Sequence, residues 1–215
     1  MRAAVITAIY DQYDTLKPTY PQNQDVEWIC VTDDPELQSD DWRIVYEPRP
    51  GVHPNRAAKV PKLFPWRYTD ADYSVWVDAS FRVISYDFVL GALSYADPIG
   101  QFIHPWRNCL YTEAEAVLGL KKYAPDSDVY RQMDAYRSVG HPESWGLWAT
   151  GVIARKHTSE IKDLGEQWMK EINEHTFQDQ ISHPFVMRNL GLRPMEFPGW
   201  HLQNDWVQYE GSLRH

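Results

Sequence analysis

The run Tyr73-Ser74-Val75-Trp76-Val77 is apolar and dominated by β-branched and aromatic side chains, and it stops abruptly at Asp78-Ala79-Ser80. Side chains of this kind suit a pleated surface that is covered, so the run reads as a buried central strand. An acid at the carboxyl end of such a strand falls where open α/β sheets bind their ligands. Asp78 and Ser80 stand two apart and together present two oxygens suited to a hard cation, which could in turn grip a diphosphate. The same residues also suit a strand that ends in an Asx-type turn.

The rest of the chain repeats this grammar. Ala3 to Tyr10 is a β-rich apolar run followed by the polar loop Asp11-Gln12-Tyr13-Asp14, and Glu27 to Thr32 is a second buried strand that ends in Asp33-Asp34-Pro35. Trp42 to Tyr46 alternates and belongs nearer an edge. Further strands are expected at Phe81–Ile84, Ile99–Ile103, Gly146–Arg155 and Arg193–Phe197. Gly151 inside the third of these marks a place where a backbone or a ligand comes close. Helical patterns lie between them. One begins near Asn55, one covers Phe88 to Leu93, and one opens on the capping-box pattern Thr112-Glu113-Ala114-Glu115 and runs towards Tyr123. Others cover Val129 to Tyr136, Ser159 to Ile172 with Ser159 as cap, and Phe177 up to Gly191. Strands alternating with helices over 215 residues predict one α/β domain with a largely parallel sheet.

Composition narrows the partners. A formal charge of −9 gives no long-range attraction to nucleic acid. Cys30 and Cys109 form neither a disulfide framework nor a metal-ligand spacing, which points to a reducing compartment. The N-terminal run is too short and strand-like for a signal peptide, and no stretch reaches the roughly 18 apolar residues of a membrane helix. A cytoplasmic protein is the expectation. Ten Trp and thirteen Tyr exceed what a core of this size needs, and flat amphipathic rings suit sugar faces and nucleobases. Trp66, Trp76, Trp106, Trp148 and Trp200 are the rings that would offer such faces.

Chemically capable residues gather at strand ends and helix openings. Arg56, Lys59 and Lys62 recur every third residue and so share one helical face, where they suit phosphates or, equally, solvent. His104 and Arg107 follow the Ile99–Ile103 strand. Asp179 and Gln180 open a late helix, although Thr176-x-x-Asp179 is also a capping box, and His201 lies near the end. Such a set suits an enzyme that holds a metal-bridged nucleotide diphosphate while a sugar is moved.

The series Thr7-Ala-Ile-Tyr-Asp-Gln-Tyr-Asp, Cys30-Val-Thr-Asp-Asp, Arg56-Ala-Ala-Lys, Val75-Trp-Val-Asp-Ala-Ser, His104-Pro-Trp-Arg with Glu113 and Glu115, Gly151-Val-Ile-Ala-Arg and Asp179-Gln180 resembles the TOD/MUCI glycosyltransferase-like family, in the family's order. The resemblance implies a GT-A type, Rossmann-like fold, with a nucleotide-binding part over about residues 1–85 and an acceptor-side part over about 86–215. It implies a hexosyl- or uronosyltransferase that takes a UDP-sugar with Mn²⁺ or Mg²⁺ and delivers the sugar to a hydroxyl of a glycan or small molecule. Asp78, Ser80 and His201 would be the metal side, Ser80 standing where the family pattern has a second acid. Thr7, Tyr10, Asp33, Asp34, Arg56, Lys59, Lys62, Ser80, His104 and Arg107 would line the nucleotide sugar, and Asp179 and Gln180 would be the catalytic pair, with a lean to retention. Two alternatives stay open: a carbohydrate-binding protein without turnover, and a transferase acting on modified nucleic-acid bases.

Overall fold

The computed structural model describes residues 2–120 and 125–211. In chain order the elements are β1 (Ala3–Ile9), β2 (Val26–Thr32), β3 (Arg43–Tyr46), α1 (Pro54–Ala57), α2 (Lys59–Leu63), a 3-10 turn at Pro65–Arg67, β4 (Tyr73–Val77), β5 (Phe81–Val83) and α3 (Phe88–Leu93). They continue with β6 (Ile99–Ile103), α4 (Leu110–Val117), α5 (Asp126–Ser138), β7 (Trp148–Lys156), α6 (Ser159–Glu174), α7 (Asp179–Asn189), β8 (Met195–Glu196) and β9 (Val207–Tyr209).

Seven strands form one sheet in the order β3-β2-β1-β4-β7-β6-β8, and β5 pairs with β9 in a small second sheet. Four of the pairings in the large sheet are parallel, and only β7 runs against its neighbours β4 and β6. The α/β expectation with a mostly parallel sheet therefore holds. Because β7 is reversed, its beginning, at Trp148–Gly151, lies at the same edge as the carboxyl ends of β1, β2, β4 and β6.

Both faces of the sheet are covered, as the continuous apolar strands require. Alternate side chains divide between the faces. Ile6, Ile29, Trp76 and Ile153 meet Leu63 of α2, Ile161, Leu164, Trp168 and Ile172 of α6, and Ile181 of α7. Val5, Val75, Val77 and Val152 meet Phe88, Val89 and Ala92 of α3 together with Phe102, Phe197 and Val207.

Several local expectations are corrected. The Asn55 helix is two short helices meeting at Ala58. Helix α4 opens two residues before Thr112, whose hydroxyl donates to the Cys109 carbonyl instead of closing a capping box. It ends at Val117, and part of the stretch expected to carry it to Tyr123 lies outside the described residues. Thr158, not Ser159, occupies the cap of α6. The segment after Phe197 returns as β9 against β5, with Trp206 packed on Gly91 and the rings of Phe102 and Phe197.

Candidate functional site

Strand β4 ends because Asp78 leaves the ladder after one last bond, its amide donating to the Gly151 carbonyl at 2.8 Å, and the Phe81 amide then closes a turn on the Asp78 carbonyl. The carboxylate, 39% exposed, is divided between two environments. Oδ1 accepts the Trp76 indole N–H at 2.6 Å and lies 3.6 Å from Lys62 Nζ. Oδ2 faces Gly151, where a Cβ would stand 3.4 Å from it, 2.9 Å from His201 Nε2 and 2.8 Å from the Phe81 ring. The missing side chain thus leaves a gap on which a carboxylate oxygen and an imidazole nitrogen converge.

His201 is carried to this gap by the returning C-terminal segment, which is tied down where the Glu210 amide donates to the Ser80 carbonyl. Its ring lies against Phe81 and Phe102, and Nε2 is buried with no hydrogen-bond partner among the described residues. Burial first, with the nearby His104 and Lys62 adding to it, pushes its pKa down to about 4. The imidazole is therefore neutral at physiological pH, the form that binds cations. Ser80 joins the site through its backbone, and its hydroxyl makes no hydrogen bond among the described residues. No group of three His, Cys, Asp or Glu side chains that could hold a metal occurs among those residues. Asp78 and His201 fit a divalent ion only if a ligand oxygen completes its shell.

The predicted basic face divides. Arg56, on α1, turns away and donates to the Ile172 carbonyl near the end of α6 at 3.2 Å, with its guanidinium over the Phe177 ring. The break at Ala58 separates it from the lysines. Lys59 and Lys62 are buried on α2 and both pair with Asp179, at 3.1 and 2.6 Å. For Asp179, burial opposes ionisation, but the two lysines outweigh it and hold the carboxyl below its usual range. For Lys62, burial is likewise outweighed, by Asp179 and Asp78, and its pKa is raised; for Lys59 burial wins and lowers it. Gln180 is buried and donates to the Trp148 carbonyl while its Oε1 accepts from the Thr150 amide at 3.3 Å. Asp179 and Gln180, expected as the reacting pair, are buried and fasten the start of α7 to α2 and β7.

On the other side of the gap, His104 Nδ1 accepts the Arg107 amide at 3.1 Å, and Nε2 lies 3.5 Å from the Glu113 carboxylate. Glu113, buried on the first turn of α4, also accepts Arg107 Nε at 2.6 Å and Gln178 Nε2 at 3.2 Å. Of the six basic residues that the sequence points to, Arg107 is the one with a partly exposed side chain (29%) whose terminal nitrogens make no hydrogen bond among the described residues. Sequence reasoning assigns no site role to Glu113 or Gln178. The capping-box pattern at Thr112–Glu115 points to Glu115 instead.

At the ends of β1 and β2, Asp33 accepts the Asp11 amide at 2.9 Å and Asp34 accepts the Gln12 side chain at 3.3 Å. Asp11 and Gln12 both have positive φ, 55° and 50°, which costs non-glycine residues energy. The two acids thus fix the loop that follows β1. Thr7 and Tyr10 are buried beneath it, and burial raises the Tyr10 pKa with Arg49 partly opposing. Of the five tryptophans expected to offer ring faces, Trp76 and Trp148 are buried, Trp66 is half-buried, and Trp106 and Trp200 are exposed.

The model of the TOD1/MUCI70 glycosyltransferase-like domain matches residues 31–197. The chain belongs to this family. The match takes in Asp78, Arg107, Glu113 and Asp179 and ends just before the segment that carries His201. Among solved structures, the TOD1/MUCI70 domain is similar to the apo structure of the bifunctional glycosyltransferase WbbM, at a TM-score of 0.50 and 9% identity. The likeness covers 92% of this chain but only 38% of that one, and it concerns the fold alone. A search of the curated proteins gives no match. The domain is glycosyltransferase-like in family and in fold, and no helix among its described residues is long and apolar enough to cross a membrane.

Proposed function

We propose that this TOD1/MUCI70 domain transfers a sugar from a nucleotide-diphosphate donor, of the UDP-sugar type, to a hydroxyl acceptor, with Asp78 and His201 as the residues that would hold Mn²⁺ or Mg²⁺. The observation that carries this reading is the convergence of Asp78 Oδ2 and His201 Nε2 on the gap at Gly151, together with an imidazole nitrogen that is buried and without a hydrogen-bond partner among the described residues. A divalent ion bound there supplies charge that stabilises the departing diphosphate.

The chain's own residues account for the surroundings. Arg107, steered by Glu113, turns unengaged N–H groups outward and suits a phosphate by its fork geometry. The loop fixed by Asp33 and Asp34 would face the nucleoside. Glu113 and Asp179 are each held by cations, and Asp78 would be engaged by the metal, so none is free to act as base for an inverting attack. This favours retention.

A panel of nucleotide sugars with Mn²⁺, read by release of nucleoside diphosphate, tests the proposal. Release from one donor that is lost on chelation, and in both Asp78→Asn and His201→Ala, is the expected result. Undiminished release from either variant overturns the assignment of the metal.

A further inference from the structure

Resting on that reading of Asp78, we infer that Trp76 and Lys62 are positioning residues that fix which oxygen of Asp78 a cation meets, and that Asp179 acts through Lys62 in this role. A free carboxylate can rotate and offer either oxygen or both. Here Oδ1 accepts a 2.6 Å bond from the Trp76 indole and has the Lys62 ammonium 3.6 Å away, leaving Oδ2 alone towards His201. Trp76 cannot swing off: it is 2% exposed and is held in β4, two residues before Asp78. Lys62 is equally fixed. It is 3% exposed, lies over the Trp76 ring, and is anchored by the 2.6 Å pair with Asp179, whose other oxygen holds Lys59.

The arrangement explains why three charged groups lie buried beside a half-exposed one. A buried ion pair gives little net stability over apolar packing, whereas a buried charge stripped of its partner is costly. Asp179 therefore holds Lys62 in place, and Lys62 with Trp76 orients Asp78. Partners of this kind orient metal ligands, and their loss typically lowers metal affinity by about 10- to 100-fold. They also offset the lack of a second acid at Ser80, because one oxygen aimed correctly loses less orientational freedom on binding than a mobile side chain does.

The test is Mn²⁺ binding in the presence of UDP, measured by calorimetry and by the loss of the free Mn²⁺ electron paramagnetic resonance signal. Trp76→Phe keeps an aromatic ring in place and removes the N–H. It is expected to weaken Mn²⁺ about 10-fold or more while the far-ultraviolet spectrum stays that of the wild type. Unchanged Mn²⁺ affinity in Trp76→Phe overturns the inference. Asp179→Asn is expected to weaken binding in the same direction if it folds; wild-type affinity in a folded Asp179→Asn removes Asp179 from the network. Asp78→Asn separates the two levels. If it binds Mn²⁺ as well as the wild type, the reading of the metal site itself has failed. If it loses binding while Trp76→Phe does not, only the positioning role has.

Discussion

Replacing Gly151 by Ala is the sharpest probe of the gap. The new methyl group would stand 2.8 Å from the Phe81 ring and 2.9 Å from His201 Nε2, closer than real Cβ atoms come to other atoms. Phe81 is buried against Tyr209 and cannot retreat, so His201 must. Overpacking of this kind costs about 1–3 kcal/mol. Gly→Ala outside the left-handed region returns about 0.4–1 kcal/mol by restricting the unfolded chain. The net loss is then roughly 1–2 kcal/mol, or a fall in Tm of about 2–8 °C for a chain of this length. The effect on ligand binding is larger, because the displaced group is the proposed metal ligand. Thermal unfolding with and without Mn²⁺ and UDP reads both: the variant melts lower, and the stabilisation by Mn²⁺ and UDP disappears. A Gly151→Ala protein that melts with the wild type and keeps its ligand-dependent shift refutes the reasoning, since Phe81 and His201 then had room to spare.

Three further outcomes are expected. Arg56→Ala loses its bond to the end of α6 and destabilises by about 1 kcal/mol, with nucleotide affinity unchanged by titration calorimetry; a drop in affinity would return Arg56 to the cleft. Arg107→Met weakens binding of UDP far more than of uridine, because only the former carries the diphosphate; equal losses would place Arg107 elsewhere. Stability falls as pH drops from about 6.5 to 4. Burial above all holds the pKa of His141, His157 and His201 down to about 4 and that of His183 to about 3. The unfolded chain takes up these protons first, so the contribution is complete above about pH 6.5 and is lost as the pH falls towards the folded values, at up to about 1.4 kcal/mol per pH unit for each group. Denaturant unfolding at neutral pH and at two acidic values within that window measures it, and His157→Asn should flatten the slope; a flat profile in the wild type contradicts the burial of these rings.

The fold is readable because continuous apolar runs such as Ala3–Ile9 and Tyr73–Val77 leave a buried parallel strand as the natural outcome, and both are central strands. The family resemblance is readable for a different reason, through the order of short motifs, and the family match spans most of them. What the sequence conceals is direction. Three cations at helical spacing imply one outward face, but that implication assumes an unbroken helix, and the turn at Ala58 sends Arg56 towards α6 and the lysines inward. Asp179 and Gln180 stand out as a polar pair, yet their partners lie far off in the chain, on α2 for the acid and on β7 for the amide, where spacing gives no sign. Glu113 is masked by a local pattern that the helix does not use, since its partners on the loop after β6 and before α7 are tertiary ones.

In the reversed strand β7, sliding by a single residue against β4 would turn every side chain to the opposite face and bring Thr150 or Val152 under the carboxylate in place of a residue with no side chain. The vacancy between the acid and the imidazole would close at once. If the proposed metal site is right, reaching the correct alignment and opening a seat for a cation are a single event for this strand, and a misaligned but compact molecule would betray itself by failing to answer to manganese.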